Sequence, residues 1–323
     1  MTTQLTRGIL AGAATLLLTG AAMAQERTLQ LGHLANEDNT WHKAAVRFGE
    51  ELESLTDGRI AVEVYPNESL GSEMDLINGM QLGTADMTIT GESLQNWAPM
   101  ASLLALPYAY ESLEEMDEVA SGEIGDQIEQ QIIDNAQIRP IAYFARGPRN
   151  LTSNRPITTP DELDGLVLRV PNVPLFVNTW SALGANPTPM AFSEVFTSLQ
   201  NNTIDAQENP LALIASANFN EVQDYVNLTE HVRSWIYLTI SEQTWNSLSA
   251  EDQEAVTEAA ARAQAYEREL FLEDEQRLRT ELEERGMEFV EVDKQAFAEK
   301  ARPAVVENVD PSVRDTAEQL FGN

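Results

Sequence analysis

The sequence predicts an α/β fold made of two lobes, each built around an open, largely parallel sheet. One observation is the order of elements near the start of the chain, where strand-like and helix-like segments alternate. A second is that the same order appears again after residue 150. The third is length, because about 300 residues can bury a large core and commonly divide into two domains.

An export signal is predicted ahead of the first strand. Arg7 is the only charged residue in the first 24, and an apolar stretch over residues 9–18 and the pattern Ala22-Met23-Ala24 follow it. Roughly 10 apolar residues are too few to span a bilayer of ~30 Å, which favours a cleavable signal over an uncleaved anchor. We therefore expect residues 1–24 to be a signal peptide, and the mature protein to be periplasmic and not embedded in the membrane.

The first α/β unit is predicted from hydrophobic periodicity. Alternation of apolar and polar residues over 29–33 and 60–64 indicates strands, and the spacing of apolar residues over 41–52 indicates a helix between them. A capping box that begins at Ser72 predicts a second helix. A third strand follows at residues 85–90.

The second unit has the same order of elements. Strands are predicted at residues 151–153, 167–170 and 203–206, and helices at residues 175–183 and 193–200. Alanine, glutamate and arginine dominate residues 251–285, which predicts a long or broken helix. We interpret the charge run of this segment as a solvated face rather than a binding patch.

Composition excludes several classes of function. The chain has no cysteine, so disulfides, thiolate metal sites and a lipid-modified N-terminal cysteine are absent. Its net charge of −32 makes nucleic acid an implausible partner, because the phosphates would be repelled. Such an acidic surface with only three lysines is typical of proteins from salt-loving organisms. That hypothesis predicts lower stability when salt falls from molar to millimolar concentration, because weaker screening strengthens the repulsion.

One arginine lies inside an apolar, strand-like run. Arg169 is flanked by Leu168 and Val170, and Pro171 ends the run. Open α/β sheets bind ligands beyond the carboxyl ends of their strands, where this side chain would point. The guanidinium offers a planar fork of donors that matches the two oxygens of a carboxylate. From the residues alone, a carboxylate anchor and a plain surface arginine both remain open.

Two further segments carry polar side chains next to predicted strands. Arg146 and Arg149 flank the turn Gly147-Pro148, which favours a hinge or the rim of a cleft. Asn209 directly follows a strand-like segment, and its amide can donate and accept hydrogen bonds at once. We expect the neighbouring Glu208 to be structural.

The order and spacing of three segments strongly resemble the DctP-type substrate-binding proteins of tripartite ATP-independent periplasmic (TRAP) transporters. These segments are residues 166–171 (LVLRVP), 184–194 (GANPTPMAFSE) and 205–210 (DAQENP). The resemblance covers roughly residues 29–309. It implies a two-lobed periplasmic binding protein fold with a ligand cleft between the lobes and a long helix bracing both. Lobe I would comprise residues 25–145 and about 235–274, and lobe II residues 146–234 and about 275–323.

The resemblance also assigns roles to residues of lobe II. Arg169 would anchor the carboxylate of the ligand, and Arg149 would supply a second contact to it. A salt bridge within its own lobe is the alternative for Arg149. Asn172 and Phe192 match positions that line the cleft in the sialic-acid-binding branch, although a turn and the core are equally open for them.

Lobe I offers four further candidates. Glu73 and Glu92 could accept hydrogen bonds from ligand hydroxyls, with solvent exposure as the alternative for Glu73. His33 is a polar candidate that could equally be a structural histidine, and Trp235 could close the cleft or pack in the core. The sialic-acid branch has an additional arginine in this lobe, but this chain has none between Arg59 and Arg139. Sialic acid is therefore not the expected ligand.

The chain contains no nucleophile elbow, phosphate-binding glycine loop, dinucleotide fingerprint or zinc-protease motif. We therefore expect no enzyme activity, no cofactor and no metal. The predicted function is to capture a small organic acid, namely a sugar acid, a keto acid or a C4-dicarboxylate. The protein, expected to be a monomer, would deliver it to the TRAP membrane permease subunits, which an ion gradient drives. The alternatives are a non-acid ligand or a sensor partner on the same fold, and a periplasmic hydrolase that uses paired carboxylates.

Overall fold

The computed structural model describes residues 26–322, apart from the side chains of residues 275 and 276. The predicted signal peptide, residues 1–24, lies outside this part of the chain. No helix among the described residues combines the length and the apolar character that crossing a membrane requires.

The strands belong to two separate sheets. Within residues 26–322 the strands are β1 (Arg27–Gly32), β2 (Ile60–Tyr65), β3 (Met87–Thr90), β4 (Ile138–Ala145), β5 (Arg149–Ser153), β6 (Val167–Val170), β7 (Asn186–Pro189), β8 (Ala206–Pro210), β9 (Tyr225–Val232), β10 (Trp235–Ser241) and β11 (Glu288–Val290). The first sheet has the order β2-β1-β3-β10-β4, and the second has the order β11-β9-β5-β8-β6-β7.

Helices flank both sheets. The α-helices of the described residues are α1 (Thr40–Leu55), α2 (Glu73–Leu82), α3 (Leu113–Ala120), α4 (Glu123–Ala136), α5 (Pro174–Leu183), α6 (Val195–Gln200), α7 (Leu211–Ser216), α8 (Glu242–Ser247), α9 (Ala250–Glu284), α10 (Lys294–Asn308) and α11 (Arg314–Leu320). Short 3-10 turns lie at Glu92–Asn96, Pro99–Ala105, Pro160–Leu163, Phe192–Glu194 and Phe219–Glu221. The predicted α/β class with two lobes is confirmed, and we use first lobe and second lobe for the parts built on the first and second sheets.

The local predictions agree with the structure where periodicity and caps are strong. The capping box of Ser72 and Asp75 begins α2, and Gly83 ends it in the left-handed conformation that glycine adopts most easily. The predicted long helix is the continuous α9. A strand predicted at 203–206 begins only at Ala206, because the preceding turn includes Asn202 with a positive φ of 55°.

Both sheets are mixed rather than largely parallel, which corrects the sequence-based expectation. In the first sheet, β1 pairs in parallel with β2 and β3, whereas β10 pairs antiparallel with β3 and β4. In the second, β5 lies antiparallel between β8 and β9. The antiparallel strands are those on which the chain leaves or re-enters a sheet, and such long-range pairing leaves no local pattern in the sequence.

Among the described residues the chain changes sheets three times: once through α8 and α9, between β10 and β11, and twice at short connections. One short connection separates β4 from β5, and the other separates β9 from β10. Every residue of β10 is buried, because this strand lies inside the first sheet. Helix α9 packs on α1 and β4 of the first lobe and also contacts α7 beside the second sheet, so it spans both lobes.

Candidate functional site

A cavity lies between the two lobes. Residues that follow β3 and residues at the carboxyl ends of β6 and β8 line it. Arg149 opens β5 and pairs in register with Pro210 at the end of β8, so the antiparallel β5 brings its first residue to the same edge. Strand ends of this kind are where open α/β sheets bind ligands.

Arg169 reaches this cavity from β6. Only 3 % of the residue is exposed, and its Nε and Nη2 donate to the carbonyl oxygen of Met190 at 3.2 and 2.8 Å. Its guanidinium carbon lies 5.8 Å from the centre of the Phe192 ring. Burial lowers the pKa of Arg169 to about 10, so the group stays positive at neutral pH. No carboxylate of the described residues forms an ion pair with it, although the negative charges of Glu208, Glu68 and Glu73 act on it from a longer distance.

Arg149 is placed differently, because carboxylates already surround it. Its Nε and Nη2 donate to the two carboxylate oxygens of Glu208 at 2.5 and 2.7 Å, and its Nη1 donates to Oε1 of Glu92 at 3.2 Å. The salt bridge within its own lobe is therefore present, although Arg149 also lines the cavity. Burial alone would raise the pKa of Glu208, but Arg149 and the hydrogen bond from His231 lower it to about 2.

Glu92 connects the first lobe to two arginines. Arg146 donates through Nη1 and Nη2 to Oε2 and Oε1 of Glu92 at 2.8 and 3.0 Å, in a bidentate pair. Although burial opposes the charged form, the positive charges of Arg146 and Arg149 lower the pKa of Glu92. Glu92 thus lines the cavity as an ionised carboxylate that is already paired, and the neighbouring Arg146 lines it as well.

Glu73 lines the same cavity from the first residue of α2. Its Oε1 accepts from the hydroxyl of Thr90 at 2.6 Å, and its Oε2 accepts from the hydroxyl of Ser93 at 3.0 Å. It forms no ion pair with any cation of the described chain. Burial, followed by the negative charge of Glu92, raises the pKa of Glu73.

The three remaining candidates of the second lobe also line the cavity. Asn209 is buried, and its Nδ2 donates to Oε1 of Gln207 at 2.6 Å. Asn172 is exposed at the cavity, and its backbone carbonyl accepts from Nδ2 of Asn96 in the first lobe at 2.9 Å. Phe192 is partly buried and packs against Phe219, with ring centres 5.8 Å apart.

Two candidates of the first lobe do not line the cavity. His33 is buried beside His42, with Nε2 and Nδ1 3.1 Å apart, and burial lowers its pKa to about 3. It is thus a neutral histidine inside the protein. Trp235 is fully buried in β10, whereas its neighbour Ile236 lines the cavity. Because side chains alternate along a strand, Ile236 and Trp235 face opposite sides of the sheet.

Sequence reasoning missed several side chains of the first lobe that line the cavity, among them Trp41, Glu68 and Ser93. Oε2 of Glu68 accepts from the backbone amide of Ser193 in the second lobe at 2.9 Å. The lobes therefore touch here as well as at Asn172. Glu68 follows a predicted strand and its end at Pro66, a position that could have marked it as a candidate.

Comparison with known proteins identifies the family of this chain. Residues 31–310 match the family model DctP, described as bacterial extracellular solute-binding protein, family 7. This chain belongs to that family. The predicted resemblance to DctP-type substrate-binding proteins of TRAP transporters is thereby confirmed.

Similar proteins of the DctP family are known from several bacteria. A solute-binding protein of Roseobacter denitrificans is 73 % identical over 305 residues, which cover 94 % of each chain. A crystal structure of a TRAP periplasmic solute-binding protein from that organism with bound L-galactonate has a TM-score of 0.91 and 74 % identity, and covers 92 % of this chain and 99 % of that one. A TRAP solute-binding protein of Haemophilus influenzae with bound L-gulonate has a TM-score of 0.84 and 33 % identity, and covers 92 % and 98 %.

Proposed function

We propose that this protein captures a sugar acid, such as L-galactonate or L-gulonate, in the periplasm and delivers it to the permease subunits of a TRAP transporter. Membership of the DctP family supports the transport role. The sugar acids bound to the similar proteins of Roseobacter denitrificans and Haemophilus influenzae support the class of ligand. The proposal describes binding and release, with no bond made or broken.

The buried guanidinium of Arg169, which forms no ion pair within the described residues, is the observation that carries this proposal. A buried charge is costly unless a counter-charge and hydrogen bonds accompany it. Arg169 donates to the carbonyl oxygen of Met190 but forms no ion pair with a carboxylate of the described residues. A ligand carboxylate would supply the missing negative charge and accept two parallel hydrogen bonds from the guanidinium.

The neighbouring candidates receive supporting roles in this proposal. Arg149 would contribute positive charge near the ligand acid group while it stays paired with Glu208. Asn209 would orient ligand hydroxyls, since its Oδ1 accepts no hydrogen bond from the described residues. Phe192 would form an apolar wall, and Asn172 would lie at the rim.

Closure of the lobes would trap the ligand. We propose residues 25–145 and about 235–274 as lobe I, and residues 146–234 and about 275–323 as lobe II, with the hinge at the two short connections between the sheets. A ligand shifts the balance between open and closed forms only by its higher affinity for the closed form. Contacts from both lobes to one ligand would provide that difference in affinity.

The test is calorimetric titration of the ligand-free protein with L-galactonate. We expect Arg169→Ala to weaken binding by at least ~100-fold, because one partner of a buried charged pair is lost. Arg155→Ala is the matched control, since Arg155 is an exposed arginine of the second lobe. Unchanged affinity in a folded Arg169→Ala protein would refute the anchor.

A further inference from the structure

Arg146, Glu92 and Arg149 line the cavity, and together with Glu208 behind it they form two bidentate ion pairs. Arg146 pairs with Glu92 through contacts of 2.8 and 3.0 Å. Arg149 pairs with Glu208 through contacts of 2.5 and 2.7 Å. Within each pair the positive and negative charges cancel at short range, so these four groups contribute little net field to the cavity.

The charges that remain are separated by lobe. The second lobe contributes the unpaired cation of Arg169. The first lobe contributes the carboxyl groups of Glu73 and Glu68, and neither forms an ion pair with a described cation. The unpaired guanidinium therefore belongs to one wall of the cavity, and the two carboxyl groups without an ion pair belong to the other.

We propose that Glu73 is a specificity determinant that restricts this site to hydroxy acids with a single carboxylate and excludes diacids of the same carbon skeleton. The inference rests on the proposed function, since it takes the carboxylate bound at Arg169 as given. It narrows the ligand class: the far end of the ligand must carry hydroxyl donors, and C4-dicarboxylates and aldaric acids are rejected.

The hydrogen bonds of Glu73 support this role. An ionised carboxylate only accepts hydrogen bonds, and its two oxygens together offer about four lone-pair sites. Thr90 and Ser93 each occupy one site, on different oxygens. Glu73 accepts no further hydrogen bond from a described side chain and lines the cavity, so a ligand hydroxyl can donate to it there.

A second carboxylate at this place has no compensating cation. The arginines near it, Arg146 and Arg149, are already paired with Glu92 and Glu208. Burial and the charge of Glu92 already raise the pKa of Glu73, and a ligand carboxylate would add to that repulsion. A diacid could then enter only together with a proton, whereas a terminal hydroxyl enters without one.

Two pairs of ligands differ only in the group at C6, the end of the carbon chain opposite the carboxylate that Arg169 would bind. L-galactonate and galactarate share their carbon skeleton and differ only in whether C6 is a hydroxymethyl group or a carboxylate. L-gulonate and glucarate differ in the same way. We expect titration calorimetry of the unmodified protein to show at least ~100-fold tighter binding of the monoacid in whichever pair it binds, because like charges are juxtaposed in the diacid complex.

The variant Glu73→Gln removes the charge and keeps the size of the side chain. We expect it to weaken monoacid binding, to strengthen diacid binding, and so to reduce the preference by at least ~10-fold. Glu114→Gln is the matched control, because Glu114 is an exposed carboxylate of α3 in the same lobe. Glu68→Gln tests the other carboxyl of this wall, and we expect it to weaken both acids alike.

Equal affinity of the unmodified protein for both members of a pair would overturn the inference without any variant, and would leave the proposed function intact. An unchanged preference in folded Glu73→Gln protein, or a loss of preference in Glu68→Gln instead, would show that Glu73 is not the determinant. If the unmodified protein binds no sugar acid at all, the proposed function falls, and this inference falls with it.

Discussion

The two walls of the cavity differ in charge and in construction. Arg149, Arg169 and Asn209 of the second lobe all lie at strand ends, where the hydrogen-bonded ladder fixes their direction. Glu68, Glu73 and Glu92 of the first lobe lie in a loop, at a helix start and in a 3-10 turn. The second lobe thus presents a rigid cation, and the first presents acceptors. This difference would allow the site to orient an acid with its carboxylate toward the second lobe and its hydroxyls toward the first.

Substitution of Arg149 and of Arg169 should change the free energy of unfolding by very different amounts, and this is the largest difference that we predict. Arg149→Met should destabilise the protein by about 3–5 kcal/mol, because it leaves the fully buried Glu208 without its cation. Arg169→Ala should cost much less stability, since it leaves no buried carboxylate unpaired. Urea unfolding of both variants measures the difference. Equal losses of stability in the two variants would contradict this division into a structural arginine and a binding arginine.

The sequence predicted the cavity residues of the second lobe better than those of the first lobe, and the reason is physical. A polar residue at the end of an apolar strand run marks a sheet edge, and Arg169 and Asn209 stand in that context. His33 and Trp235 also lie at strand ends or in strands, but pleat direction and long-range packing turn them away from the cavity. Local sequence carries no information on that direction until the neighbouring strands are known.

Prediction of the fold from local sequence has the same limit, because some strands depend on distant partners. The helices α1, α2 and α9 follow from periodicity and caps, which are local. The strand β7 includes Pro187 and Pro189, so its sequence predicts a turn, and it forms only because it pairs as an edge strand with β6. The antiparallel position of β10 likewise depends on a partner more than 80 residues away in the chain, at β4.

Two buried carboxyl groups, those of Glu267 and Glu208, have pKa shifts in opposite directions, so stability should depend on pH in opposite ways. Burial raises the pKa of Glu267 in α9 to about 8, although the Ala145 amide donates to it at 3.0 Å. Between its usual pKa and 8 the folded protein holds more protons than the unfolded chain, so stability falls as pH rises through that window. For Glu208, with a pKa of about 2, stability is instead lost as pH falls through its ordinary pKa toward 2.

Glu267→Gln tests whether the titration of Glu267 causes the loss of stability as pH rises. The variant should match the unmodified protein near pH 5 and exceed its stability near pH 8.5, by a few kcal/mol at most. Urea unfolding at both pH values measures it, and Glu254→Gln, an exposed position of the same helix, is the control. A difference in stability that stays constant with pH would contradict the assignment of this titration to Glu267.

The smallest predicted change is in ligand affinity, and it follows from removing the hydrogen bond between Glu68 and Ser193 that joins the two lobes. Glu68→Ala removes the acceptor for the Ser193 amide, and a single hydrogen bond contributes about 1 kcal/mol net. We expect L-galactonate binding to weaken by roughly 3–10-fold, because the closed form loses one interlobe contact. Glu63→Ala, at an exposed position of β2, is the matched control. Equal affinities of the two variants would show that this contact does not stabilise closure.

A crystal structure with bound L-galactonate tests the orientation between the two walls most directly. We expect the ligand carboxylate to lie about 2.7–3.2 Å from the guanidinium nitrogens of Arg169, and the C6 hydroxyl to lie at a similar distance from a carboxylate oxygen of Glu73. A ligand bound in the reverse direction, or a carboxylate held elsewhere while Arg169 contacts only Met190, would contradict it.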